Sequence, residues 1–222
     1  IVTNECGSSA VSTRTFTVKP IPVLTTSPLS QVICSGSQTS LVNLTADLAG
    51  ATFSWTATAS AGVTGFTASG NGNTIPMQTI FTTGIVAGTV TYAITTSLNG
   101  CSSPPVNYVV TVNPSPFLQS QPTGSAVCQN GLATQLEFTL NTTAGSPTYQ
   151  WYSNTGNSTT GGTLISGATG MTYDPPTTTV GNLYYYARIT FTSGDCPSLV
   201  TIPANVNVLP IPAITQQPTP LQ

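Results

Sequence analysis

Charged residues are almost missing from this chain of 222 residues, and histidine is missing altogether. Only 3 Lys or Arg and 5 Asp or Glu are present, which makes 4% of the residues charged, against about 25% in an ordinary soluble domain. Three basic residues form no patch that could neutralise phosphates, which argues against nucleic acid as a partner. Without histidine there is no Ser-His-Asp or Cys-His catalytic arrangement and no imidazole metal site.

The five carboxylates are isolated from one another along the chain. They are Glu5, Asp47, Glu137, Asp174 and Asp195. No two of them are close enough in sequence to indicate an acid–base pair or a calcium site. The glycine-rich segment 69–72 lacks the lysine and the following helix of a phosphate-binding loop. We therefore expect no catalysis, no cofactor and no bound metal.

Long apolar runs are also missing. None approaches the ~18 residues that a membrane-spanning helix needs, so we expect no membrane insertion of this segment. A hydrophobic content of 39% with a net charge of −2 argues against disorder. With 42 Thr and 23 Ser, hydroxyl groups take the place of ions at the surface. Such a surface suits a protein in an external medium, and we expect an extracellular or cell-surface location.

The pattern that is present favours β-strands. Apolar and polar residues alternate through 106–112, 135–140 and 204–208, which is the period of a half-buried strand. Abundant Thr and Val favour strands over helices, and Gly- and Ser-rich turns separate the runs. We predict an all-β fold of tandem antiparallel β-sandwiches, with Trp55 and Trp151 in their cores.

A valine–proline–proline signature occurs three times and divides the chain into repeats. Its first prolines, Pro20, Pro114 and Pro210, lie 94 and 96 residues apart, which is typical of a domain array. The predicted boundaries are the C-terminal strands of a preceding, incomplete repeat at 1–18, complete β-sandwiches at 19–113 and 114–209, and the start of a following repeat at 210–222. Because each Pro-x-Pro joint is short and stiff, we expect the sandwiches to lie end to end as a rod.

The landmarks of each repeat occur in one order. In the first repeat they are Phe53-Ser-Trp55, Val63-Thr-Gly65, Ser69-Gly70-Asn71-Gly72-Asn73-Thr74-Ile75, Gly88-Thr-Val-Thr-Tyr92, Asn99-Gly100-Cys101 and Val112-Asn-Pro114. In the second they are Cys128-Gln-Asn-Gly131, Tyr149-Gln-Trp151-Tyr152, Thr172-Tyr173-Asp-Pro175 and Gly181-Asn-Leu-Tyr184-Tyr185. This order resembles the tandem PKD-like and Ig-like repeats of large Bacteroidota cell-surface adhesins, including those exported by the type IX system. The resemblance implies a PKD-like sandwich at 19–113 and an Ig-like sandwich at 114–209.

The five cysteines recur with the same period as the repeat. In the absence of histidine, they indicate disulfides formed in an oxidising compartment. The favoured pairing is Cys34–Cys101 and Cys128–Cys196, each inside one repeat, and it leaves Cys6 out. The alternative pairs neighbours across the proline joints, as Cys6–Cys34 and Cys101–Cys128.

One strand carries a candidate binding face. If the odd-numbered residues of 185–191 face the core, alternation turns Tyr184, Tyr186 and Arg188 outward. Two exposed tyrosines beside an arginine could stack on a sugar ring or dock a neighbouring protein. Ordinary cross-strand packing of tyrosines on an exposed sheet face is the interpretation that we favour.

Three functional hypotheses follow. The first is a non-catalytic structural segment of an extracellular stalk or filament, whose partners are neighbouring repeats of the same chain or like subunits. The second is an adhesion module that binds a glycan or a surface protein through the tyrosine–arginine face. The third treats residues 1–18 as a hairpin that completes a sandwich on a like subunit, so that strand exchange builds a polymer.

Overall fold

The computed structural model describes residues 3–8, 10–142, 146–192 and 196–214. Within these residues the chain forms 22 strands, β1–β22, and no helix, which confirms the all-β prediction. The first two strands form a separate hairpin, β1 (Thr3–Asn4) with β2 (Gly7–Ser8). No helix in the described part of the chain has the length and apolar character needed to span a membrane.

The next ten strands form the first sandwich. They are β3 (Ser30–Cys34), β4 (Val42–Asn43), β5 (Thr52–Ala59), β6 (Val63–Thr64), β7 (Ser69–Asn71), β8 (Thr74–Ile75), β9 (Phe81–Thr82), β10 (Gly88–Leu98), β11 (Cys101–Ser102) and β12 (Val106–Asn113). The main sheet has the order β3-β12-β10-β5-β7, with β11 also paired to β10. The pairs β4-β8 and β6-β9 supply the second layer. Strand β3 runs parallel to β12, and the other pairs of the main sheet are antiparallel.

The last ten strands form the second sandwich, whose main sheet has the same strand order. They are β13 (Phe117–Ser120), β14 (Ser125–Cys128), β15 (Leu136–Glu137), β16 (Thr139–Asn141), β17 (Pro147–Asn154), β18 (Thr163–Leu164), β19 (Thr172–Tyr173), β20 (Gly181–Phe191), β21 (Leu199–Val200) and β22 (Ala204–Leu209). The main sheet has the order β14-β22-β20-β17-β18, with β21 also paired to β20. Here β14 is parallel to β22, in the place that β3 and β12 take in the first sandwich.

Each sandwich has its own core around a tryptophan. Trp55 is 4% exposed and meets the ring of Tyr92 edge to face, with centroids 5.4 Å apart. Trp151 is fully buried, and its indole N–H donates to the carbonyl of Gly170 at 3.0 Å. These observations confirm the prediction that both tryptophans are core residues. Burial also raises the pKa of Tyr92 to about 12, because the charged form loses its hydration there.

A glycine on strand β7 allows the edge of the first sheet to approach Trp55. Gly70 pairs with Trp55 across the two strands, and a Cβ added at Gly70 would overlap the indole ring. The ring belongs to a packed core, so it has little room to move away. Gly156, in the loop after β17, has no atom near the position of an added Cβ and serves as a matched control.

We expect Gly70→Ala to lower the free energy of unfolding by about 1–3 kcal/mol, because the added methyl group overpacks the core around Trp55. Gly156→Ala should change it by less than about 0.5 kcal/mol. Thermal and urea unfolding of the two variants measures both effects. Equal stabilities would show that β7 does not pack on Trp55 as described.

Candidate functional site

A disulfide joins the two sandwiches. Cys34 is the last residue of β3, and Cys196 precedes β21 in the second sandwich. Their Cα atoms lie 5.0 Å apart, and 162 positions separate them in sequence. The bond therefore crosses the joint at Pro114 and fixes one end of the first sandwich against one end of the second.

This bond shows that the favoured pairing inside each repeat is wrong. Cys34 is aligned with Asn113, at the end of the sheet where β10 begins. Cys101 is aligned with Leu98, at the end of the sheet where β10 finishes. Ten residue steps along β10 correspond to about 30 Å. A disulfide needs Cα atoms within about 7 Å, so Cys34 and Cys101 cannot meet.

The second sandwich repeats this geometry. Cys128 is aligned with Leu209 near the start of β20, whereas Cys196 lies near its end, since β21 pairs there. The predicted Cys128–Cys196 bond is therefore wrong for the same reason. The alternative across the joints is wrong in its pairs as well. Cys34 is already bonded to Cys196, and Cys101 and Cys128 each carry a thiol.

Protein atoms enclose the disulfide. Cys34 is fully buried and Cys196 is 9% exposed, and both pack against Phe191. The Cys34 sulfur lies 3.9 Å from the carbonyl oxygen of Pro114, so the disulfide is in contact with the proline joint. Its burial restricts access by reductants, which matters because disulfide exchange needs the sulfur to be reached.

Hydrogen bonds hold the connecting segment against the first sandwich. The Ser35 amide donates to the carbonyl of Asn113 at 2.7 Å, and the Ser115 hydroxyl donates to the carbonyl of Ser35 at 3.0 Å. A crevice beside them is lined by residues of both sandwiches, including Ile85 and Phe117. The sequence predicted a stiff joint from Pro114 but gave no signal for these serines, whose partners are backbone atoms distant in sequence.

The predicted tyrosine–arginine face is only partly exposed. Tyr186 is 1% exposed, so the prediction that it faces outward as a binding residue is wrong. Its ring stacks on Tyr152, with centroids 5.2 Å apart and planes 9° from parallel. Tyr184 is half-buried on the same strand, and Arg188 is exposed as predicted.

The loop after β17 explains why Tyr186 is covered. Gly162 lies so close to Tyr186 that an added Cβ would stand 2.6 Å from its hydroxyl oxygen. Arg188 lies over the Tyr152 ring, 5.3 Å from its centroid, and donates to the carbonyl of Thr159 at 3.2 Å. The protein's own loop and Tyr152 thus occupy the positions that a sugar ring or a partner would take. This cluster stabilises the sheet and does not form an open binding platform.

Two of the carboxylates accept hydrogen bonds from neutral groups. Asp47 accepts a hydrogen bond from the Val23 amide at 2.7 Å, and Asp174 accepts one from the Gln135 side-chain amide at 3.0 Å. Among the residues that the structure describes, no three Cys, Asp or Glu side chains approach closely enough to hold a metal ion. Asp195 lies outside the described residues.

Comparison with protein families gives one match for each sandwich. Residues 31–116 match the model of a family described as PKD-like domain. Residues 120–210 match a family described as Domain of unknown function (DUF8696). No curated protein sequence matches the chain. The PKD-like part of the sequence-based resemblance is thus supported for the first sandwich.

Several solved structures of other multi-domain chains are similar to this chain. Extracellular domains 3–5 of Drosophila OTK are 14% identical, with a TM-score of 0.48, and the match covers 86% of this chain and 62% of that one. The eight N-terminal Ig domains of DSCAM are 14% identical, with a TM-score of 0.45, over 86% of this chain and 25% of that one. Clostridium thermocellum CbhA fibronectin(III)-like modules are 11% identical, with a TM-score of 0.31, over 86% of this chain and 95% of that one. This chain therefore spans less than two thirds of the OTK fragment.

We expect a digest of the unreduced chain at acidic pH to contain a peptide pair linked through Cys34 and Cys196. Cys34→Ser should remove this pair and expose the Cys196 thiol to alkylation. It should also lower the free energy of unfolding, by about 5 kcal/mol where loop-closure entropy acts in full. Cys101→Ser is the matched control and should leave both the linked pair and the melting temperature unchanged. A pair linking Cys34 to Cys101 would contradict the structure.

Proposed function

We propose that this chain is a non-catalytic structural segment of an extracellular stalk or filament, of the adhesin type found at the surface of Bacteroidota and exported by the type IX system. Its β-sandwiches lie end to end and transmit mechanical load between a cell and a distal adhesive part. The observation that carries the proposal is the covalent bond between Cys34 and Cys196, which closes the joint between the sandwiches. A disulfide of this kind persists in an oxidising, extracellular compartment.

The position of the bond suits a load-bearing segment. A force applied at the two outer proline joints follows the chain from Pro20 to Cys34, crosses the disulfide to Cys196 and leaves at Pro210. The chain between the two cysteines lies outside this covalent path, with 162 positions from one sulfur-bearing residue to the other. At about 3.4 Å per residue, the bond prevents about 550 Å of extension. Load can therefore strain the sandwiches without pulling the intervening chain out to its full length.

The surface chemistry supports the same role. With 4% charged residues, the surface relies on hydroxyl, amide and backbone groups, which do not titrate near neutral pH. Because ionic attraction contributes little, changes in salt concentration should alter the packing little. A stalk exposed to a variable external medium benefits from this independence.

Strand exchange remains a second candidate, because residues 10–18 lie outside every strand of the described chain. Phe16 is 84% exposed and Val18 is 92% exposed. Val18 opens the same Val-x-Pro signature as Val112, which is fully buried in β12. Adding this segment to the sheet of a like subunit would bury both side chains, in the manner of β-strand addition.

Force spectroscopy on the oxidised chain, pulled from its two ends, tests the load-bearing role. We expect the oxidised chain to extend by only the segments outside the Cys34–Cys196 bond. Cys34→Ser should add two unfolding events and about 550 Å of extension, because the intervening chain is then free to unfold. Cys101→Ser should behave like the parent chain. Full extension of the oxidised parent would contradict a disulfide-limited stalk.

Small-angle X-ray scattering tests the end-to-end arrangement. A compact globule of 222 residues has a radius of gyration of about 17 Å, whereas two sandwiches in line should exceed about 20 Å. The forward scattering gives the mass in solution and separates the two candidates. A 22.7 kDa monomer with the larger radius supports the stalk, whereas multiples of that mass, lost on Phe16→Asp, support strand exchange. A monomer with a radius near 17 Å would contradict both.

A further inference from the structure

The end of strand β14 in the second sandwich is built like the end of β3, which carries the bonded Cys34. Cys128 closes β14 as Cys34 closes β3, and each is aligned in parallel with a residue next to a proline joint. For Cys34 that residue is Asn113, and for Cys128 it is Leu209. The two cysteines therefore occupy matching positions in two copies of one sheet.

The turns after the two cysteines also match, hydrogen bond by hydrogen bond. Three amide-to-carbonyl bonds in the first sandwich have counterparts in the second whose lengths agree within about 0.1 Å. The pairs are Ser35 to Asn113 (2.7 Å) with Gln129 to Leu209 (2.8 Å), Gly36 to Ile80 (2.8 Å) with Asn130 to Thr177 (2.9 Å), and Ser37 to Cys34 (2.9 Å) with Gly131 to Cys128 (2.8 Å). The backbone that presents the Cys34 sulfur to its partner is thus present a second time around Cys128.

What differs is the cover over each cysteine. Cys34 is fully buried beneath Phe191 and Cys196 of the second sandwich. Cys128 is exposed and carries a thiol. Apolar side chains surround its end of the sandwich without cover, since Leu132 is 99% exposed and Leu209 is 44% exposed. This end of the second sandwich has the form of a joint without the neighbour that completes it.

The first sandwich shows the complementary half. Cys101 follows the end of β10 as Cys196 follows the end of β20, and it also carries a thiol. Beside it, the Lys19 ammonium group donates to the carbonyl of Asn99 at 3.0 Å, so the segment entering at Pro20 already lies against this turn. Cys101 therefore faces the upstream joint in the way that Cys196 faces the Pro114 joint.

We propose that Cys128 is a covalent docking site for a following β-sandwich repeat, whose cysteine at the position of Cys196 forms a disulfide with it. Cys34–Cys196 is then one member of a series in which each repeat is bonded to the next. The inference rests on the proposed stalk and identifies the partner at its next joint. The uncovered apolar side chains at the Cys128 end supply the surface on which that repeat packs.

The bond forms by thiol–disulfide exchange with a small disulfide such as oxidised glutathione. The Cys128 thiolate attacks one sulfur of the oxidant, giving a mixed disulfide and one glutathione thiol. The cysteine thiolate of the following repeat then attacks the Cys128 sulfur and releases the second glutathione. Two protein thiols lose two electrons and two protons, and one oxidised glutathione becomes two reduced molecules.

The test extends the full chain by one repeat. A second copy of residues 114–209, in which the copied Cys128 is changed to Ser, is inserted after Leu209, so that Pro210 and the remaining residues follow it. The product is refolded with reduced and oxidised glutathione and mapped without reduction. We expect Cys128 to be linked to the copied Cys196, alongside the original Cys34–Cys196 bond. Native labelling of Cys128 by a maleimide should fall at least ten-fold relative to the 222-residue chain.

A second extended chain, with a different insert, tests the proposal even if the first insert misfolds. It carries a copy of residues 20–113 after Leu209, and there Cys128 should bond with the copied Cys101. Cys128→Ser in either chain is the control and should leave the inserted partner cysteine open to alkylation. The Cys34–Cys196 bond in the same molecules reports that the original joint has folded.

The proposal is overturned if Cys128 stays labelled or glutathionylated in both extended chains. It is also overturned if Cys128 is found linked to Cys101 of another molecule, because the occupant is then a second copy of the chain. Neither result bears on the scattering and force measurements, which do not involve Cys128. A failure at Cys128 is thus distinguishable from a failure of the stalk itself.

Discussion

The Cys34–Cys196 disulfide links the end of β3 to the segment before β21, and the other contacts of the joint surround it. Phe191 covers the sulfurs, and the serines beside the proline hold the backbone with single hydrogen bonds. A hydrogen bond of this kind contributes about 1 kcal/mol. The covalent bond keeps their partners adjacent, so that these weak contacts persist together.

Four of the few charged side chains that the structure describes form hydrogen bonds with neutral groups. Lys19 and Arg188 donate to carbonyl oxygens, and Asp47 and Asp174 accept from amides. Arg188 also lies over the ring of Tyr152, where the π electrons of the ring attract its charge. These partners do not titrate near neutral pH, so the bonds persist across the external conditions that a surface protein meets. Hydrogen bonding between neutral groups and two apolar cores supplies the remaining stability.

Alternation of residue type was sufficient to predict the strands and the cores. It located β12 and β22, whose alternate valines are buried, and it placed Trp55 and Trp151 inside. Alternation failed at Tyr186, because it separates two faces of a strand without saying what covers the outer one. In this sheet a loop that is distant in sequence covers it, and Gly162 permits the approach. Such coverage depends on the path of the loop, which the local pattern does not encode.

The disulfide was beyond prediction for a different reason, and the reason bears on how such arrays are stabilised. Equal cysteine spacing in successive repeats is compatible with bonds inside repeats and with bonds between them. The deciding fact is that β3 is parallel to β12, which brings Cys34 to the joint at the end of the first repeat. The antiparallel pair of β10 and β11 holds Cys101 at the opposite end. Two cysteines at opposite ends of one sheet are too far apart to bond to each other. Each of them can form a disulfide only with a cysteine outside that sheet. In this fold, therefore, the parallel strand pair places the bond of Cys34 between the two sandwiches and not inside one of them.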